Sequence, residues 1–78
     1  MVTPEQIQSY IEKGLPCERV VVAGDGQHFE ALIVSGSFRG RSRVQRHQLV
    51  YATLGERMRG EIHALSMRTL TPEEAVNG

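Results

Sequence analysis

Two runs of β-branched and aliphatic residues, over 28–35 and 62–70, are separated by a stretch of helical periodicity. A strand-helix-strand connection within one sheet makes its two strands parallel, normally through a right-handed crossover. The crossover helix starts at Ser42, with Gln45 at the capping-box position. Val44, His47, Val50, Tyr51, Leu54 and Met58 recur at helical spacing and form the face expected to cover the sheet. Gly60 is the expected C′ residue, Arg57 and Arg59 suit the negative end of the dipole, and Gly55 is the weak point at which the helix would divide.

Parallel strands begin at the same edge. If the two runs are neighbours, His28 and His63, which stand near their starts, fall at one end of the sheet. Adjacent strands lie ~4.8 Å apart, so two imidazoles there are within reach of a single metal centre.

The flanking segments complete the architecture. Thr3 is an N-cap, Pro4 the first helical residue and Gln6 the box partner, with Val2 and Ile7 placed as a hydrophobic staple. Ile7, Tyr10 and Ile11 form an apolar stripe, and Gly14 and Pro16 stop this first helix. Residues 19–23 read as a strand that turns at Gly24-Asp25-Gly26 into the second strand, giving an antiparallel hairpin. Phe38 anchors the loop of residues 36–40, and Thr71-Pro72-Glu73-Glu74 opens a short last helix expected to fray near Asn77-Gly78. The expected fold is α+β: a single domain over residues 1–78 in α-β-β-α-β-α order, its three-stranded mixed sheet covered by helices on one face.

With 78 residues and one cysteine, Cys17, the chain must hold a small core without disulfides. No apolar run approaches membrane-spanning length and no signal pattern opens the chain, so the expectation is a cytoplasmic protein with no membrane partner. Nine basic and nine acidic residues cancel, which argues against wholesale electrostatic binding of nucleic acid. Arg39, Arg41, Arg43 and Arg46 nevertheless cluster without an acid among them. No Ser/His/Asp or Cys/His arrangement, phosphate loop or paired acid site stands out, so an enzyme is not expected.

On spacing alone, two histidines more often cap strands or bind a loop than ligate metal, because two ligands without Cys or Asp partners make no complete site. A closed metal centre needs about four ligands. If His28 and His63 are ligands, the remainder must come from another molecule.

Taken together, Phe38-Arg39-Gly40, Arg46-His47-Gln48-Leu49-Val50-Tyr51, Ile62-His63-Ala64-Leu65 and Leu70-Thr71-Pro72-Glu73 resemble the BolA family. Gly24-Asp25-Gly26-Gln27-His28-Phe29 is similar to its short, IbaG-type bacterial branch. The resemblance implies a type II KH-like fold and a non-enzymatic partner of monothiol, CGFS-type glutaredoxins. The heterodimer would hold a bridging [2Fe-2S] cluster, with the glutaredoxin cysteine and glutathione sulfur on one side. His63 maps to the family's C-terminal histidine ligand, and His28 to the loop ligand before the second strand. No cofactor is expected in the isolated protein, which would be a monomer or weak homodimer. Imidazole ligation raises a cluster's potential, as in Rieske centres, and requires the neutral ring, so acid should compete with iron.

Three other features bear on function. Cys17 is softer than imidazole, but it lies away from the loop before Phe29 and reads as a small buried residue at a helix-strand junction. His47 reads as a packed, hydrogen-bonded core histidine. The alternative function is a DNA-binding transcriptional regulator contacting DNA through Arg39, Arg41, Arg43 and Arg46. Against it, Gly36 and Gly40 are spaced one residue too wide for the Gly-x-x-Gly clamp of KH domains, and they precede the helix. After the last cap the chain runs Ala75-Val76-Asn77-Gly78, where members of the family commonly carry an aromatic residue and a longer helix.

Overall fold

A computed structural model describes residues 2–77. The elements are α1 (Pro4–Gly14), β1 (Arg19–Gly24), β2 (His28–Val34), a 3₁₀ turn (Gly36–Phe38), α2 (Arg43–Leu54), α3 (Arg57–Gly60), β3 (Ala64–Leu70) and α4 (Pro72–Asn77). The sheet order is β1-β2-β3, antiparallel between β1 and β2 and parallel between β2 and β3. Strands two and three are therefore neighbours, as the crossover argument requires.

The capping chemistry is as expected. Thr3 accepts from the Gln6 N–H while the Gln6 side chain accepts from the Thr3 N–H, and Ser42 and Gln45 repeat the exchange at α2. Each such cap is worth about 1 kcal/mol. Thr71 and Glu74 make a third reciprocal pair at α4.

Alternation along the strands sends Val20, Phe29, Ala31 and Ile33 to the covered face, where they join Ile7 and Ile11 of α1 and Val50 and Leu54 of α2. Val2 is buried with them, consistent with the staple, and Phe38 is fully buried beneath its loop. The opposite face is open, with Val21 44% exposed.

Four expectations need correction. Gly60 is the last residue of a separate one-turn α3 and not a C′ residue, whereas the division falls at the expected weak point, where Gly55 takes φ +58°, a left-handed conformation that favours glycine. Val44 and Tyr51 do not face the sheet; they are 64% and 39% exposed, and the buried stripe runs through Val50 and Leu54 with Leu49 packed beside it. His47 is half-buried in a groove between α2 and β3, outside the core. The third strand starts at Ala64, two residues later than expected, because Ile62 is a buried plug (2% exposed) before the ladder begins. The glycine between two helices is thus Gly55, and Met58 stands where a Gly-x-x-Gly clamp would need its second glycine. The expected fraying next to Gly78 lies partly outside the described residues.

Candidate metal centre

His28 opens β2 and pairs in register with Ala64, the first residue of β3. His63 therefore stands one chain step, about 3.8 Å, ahead of the residue opposite His28. Both histidines are exposed at this end of the sheet.

Local bonds fix the backbone that carries each ring. The Asp25 carboxylate accepts from the backbone N–H groups of Gln27 and His28, both at 2.9 Å, and the Asp25 N–H donates to the His28 carbonyl at 3.2 Å. The His28 and Gln27 donors hold the Asp25 carboxyl below its ordinary range. On the facing strand there is room only for glycine: a Cβ on Gly24 would lie 2.5 Å from the His28 carbonyl oxygen. His63 is held differently. The N–H groups of Glu61 and Ile62 both donate to the Arg57 carbonyl at 2.9 Å, and the Ile62 side chain is sunk in the core. His63 is thus the single residue between a buried plug and the start of a ladder.

Beside His28 lies an open depression of about 420 Å³ lined by Gly24, Asp25, Glu30, Ala64 and Ser66. Among the described residues, no group of three or more His, Cys, Asp or Glu is placed to hold a metal ion. This edge carries the His28 and His63 imidazoles, with the Asp25 and Glu30 carboxylates beside His28. It suits a centre completed by another molecule and does not suit a closed four-ligand site.

Cys17 is remote from that edge. It precedes Arg19, which pairs with Val34, itself opposite Leu70, so it belongs to the other end of strands about 20 Å long. Its thiol donates to the Leu15 carbonyl at 3.2 Å, and burial, reinforced by Glu12, pushes its pKa up and favours the poorly ligating protonated form.

The arginines divide into two groups. Arg39 forms a two-bond pair with Glu73 at 2.9 and 2.6 Å. Arg46 pairs with Glu74 at 2.7 and 3.2 Å and also donates to the carbonyls of Thr69 and Arg41. These contacts lower both glutamates, Glu74 to about 2, with the Arg46 hydrogen bond as the main cause. Arg41 donates to the Ser37 carbonyl, and Arg43 is exposed. The arginine spacing carried no sign of these pairs, because the acids lie 34 and 28 residues downstream.

The model of the BolA-like protein family matches residues 8–74. The chain is 41% identical over 70 residues to the acid stress protein IbaG of Escherichia coli strain K12, covering 88% of this chain and 83% of that one. It is 45% identical over 51 residues to the DNA-binding transcriptional regulator BolA of Haemophilus influenzae, covering 65% of this chain and 50% of that one. The structure of a BolA homologue from Coxiella burnetii superposes with a TM-score of 0.88 at 47% identity, covering 97% of this chain and 99% of that one.

Proposed function

The chain belongs to the BolA family, and from that premise we propose that it is a non-enzymatic partner of a monothiol glutaredoxin, co-ligating a bridging [2Fe-2S] cluster through His63 and His28. One observation carries the reading: two exposed histidines stand at the starts of neighbouring parallel strands. A site with two ligands is incomplete alone and complete when a partner adds its cysteine and a glutathione sulfur.

When bound, the cluster supplies a transferable, redox-active iron centre whose potential rises with imidazole ligation. The chain's own residues set the geometry. Asp25 and Gly24 fix the backbone at His28, and Ile62 fixes the approach to His63. Both rings bind iron as neutral imidazoles, so protonation competes with ligation and acid weakens the complex. Iron-sulfur trafficking or iron sensing is the role that such a labile shared site would serve.

Reconstitution with and without a monothiol glutaredoxin, followed by absorption, circular dichroism and native mass, tests the reading. The expected result is a heterodimer with one cluster and a visible spectrum distinct from that of glutaredoxin alone. In the His63→Ala variant that spectrum should be lost or changed. An unchanged spectrum contradicts ligation, and an iron-independent heterodimer would make the protein a clusterless adaptor.

A second reading, DNA binding, draws on the Haemophilus relative's name and on the exposed Arg41 and Arg43. Arg39 and Arg46 favour it less, since both hold glutamates of α4. A salt-dependent, sequence-selective shift of a DNA fragment by the purified protein would support this reading.

A further inference from the structure

Away from His28 and His63, a groove of about 780 Å³ that includes His47 runs between the start of α2 and the C-terminal half of β3. We infer that this groove docks an extended acidic segment of a partner protein, added as a fourth strand along the free edge of β3.

The backbone provides the first argument. β3 is an edge strand, paired only with β2 among the described residues. The Ser35 N–H donates to the Leu70 carbonyl, which therefore faces β2, whereas the Thr69 carbonyl accepts from Arg46 on the other side. Alternation then aims the N–H and C=O groups of Leu65, Met67 and Thr69 at the free edge. Of these carbonyls Thr69's is already capped by Arg46, which leaves the N–H and C=O of Met67 and the N–H of Thr69 as the template within the groove.

Charge provides the second. Arg41, Arg43 and Arg68 line the groove, and among the described residues none has a carboxylate within ion-pair distance. The remaining arginine of the groove, Arg46, already holds Glu74 in a two-bond contact, a demonstration within the chain of the group this surface binds. Met67 and Leu70 give the same groove apolar contact for the alternate side chains of a strand. A single-stranded nucleic acid is less well suited, because His47 is the one ring among the groove's lining residues and no Phe, Tyr or Trp joins it as a platform for successive bases.

The groove lies at the opposite end of β3 from His63, so its occupant and a glutaredoxin bound at the histidines need not compete. The inference does not rest on the cluster reading.

The test uses the whole protein, labelled with ¹⁵N, and a short capped synthetic peptide of alternating glutamate and valine. Saturable, salt-sensitive amide shifts are expected within residues 65–70 and at the start of α2, with slowed hydrogen exchange at the Met67 amide as the added strand pairs with it. Reversing two exposed charges together, Arg43→Glu with Arg68→Glu, should weaken binding by about tenfold or more. His63→Ala should leave it unchanged. Shifts without slowed exchange at Met67, shifts centred elsewhere, or no binding would overturn the inference. So would tighter binding in the groove by a single-stranded oligonucleotide of matched length.

Discussion

The two ends of the three-stranded sheet are built to opposite specifications. Where β2 begins and β3 is entered, hydrogen bonds go to the backbone: Asp25 ties down the turn, and Ile62 plugs the core, while the rings of His28 and His63 stand exposed. At the far end the side chains are bound to one another. Arg39 and Arg46 grip Glu73 and Glu74, Arg46 also holds two carbonyls and lies over the Phe38 ring, and α4 is fastened there without burying any of its residues. One end fixes main chain and leaves the side chains of His28 and His63 exposed. The other uses charged side chains to fasten a short terminal helix. Exposure of a charged residue is therefore a poor guide to function in this fold, and the state of its bonding is a better one.

That contrast breaks at measurable points. The largest expected effect is that of Ile62→Ala, which removes the plug and should cost about 2–5 kcal/mol in a chemical denaturation curve. It should also loosen His63 and reduce cluster assembly in the refolded fraction. A loss below about 1 kcal/mol would mean that the entry to β3 is not anchored by this side chain.

Arg46→Ala comes next, at about 2 kcal/mol, since it removes bonds to the Thr69 and Arg41 carbonyls and the packing over Phe38. The helical signals of α4 in NMR spectra should weaken, while cluster assembly with glutaredoxin stays as in the parent. If assembly falls in parallel, the two ends of the sheet are coupled and do not act independently.

A smaller effect is expected from acid. The Glu74 carboxyl is lowered from 4.5 to about 2 in the folded chain, so the fold binds fewer protons than the unfolded state between those values. Its stabilising contribution is complete above about 4.5 and is lost as pH falls toward 2. Glu74 is half exposed, so solvent screening keeps the effect modest. Glu74→Gln should flatten that part of the stability-pH curve, and an identical slope in the variant would show that Arg46 does not hold the charge in solution.

Much of this was legible in the sequence because the signals are local. The Thr3/Gln6, Ser42/Gln45 and Thr71-Pro72 caps each need only four residues, and the crossover rule converts their order into the shared edge of His28 and His63. The face of α2 is ambiguous in the sequence because residues three and four apart wrap gradually round a helix. Val44 and Tyr51 fit that spacing yet project past the sheet, while Leu49 and Val50 meet it. The early start assigned to β3 has a similar cause: Ile62 is as apolar as a strand residue and serves as a plug. The clasp of α4 was illegible for a different reason. Glu74 does cap its helix through Thr71, and nothing in Thr-Pro-Glu-Glu announces a second bond to an arginine 28 residues earlier. Arg68 carries no sequence signal beyond that of a strand residue, and only the fold sets it beside Arg41 and Arg43.

On the proposed function, the exposed end of the sheet supplies nitrogen to iron. That ligation is tested most directly by labelling this protein alone with ¹⁵N-histidine, assembling the complex with unlabelled monothiol glutaredoxin and glutathione, and measuring hyperfine couplings of the reduced cluster. Strong ¹⁵N couplings that diminish in His28→Ala and are abolished in the His28→Ala, His63→Ala double variant are predicted. A reduced cluster bound in the heterodimer without ¹⁵N coupling from this chain would contradict the account.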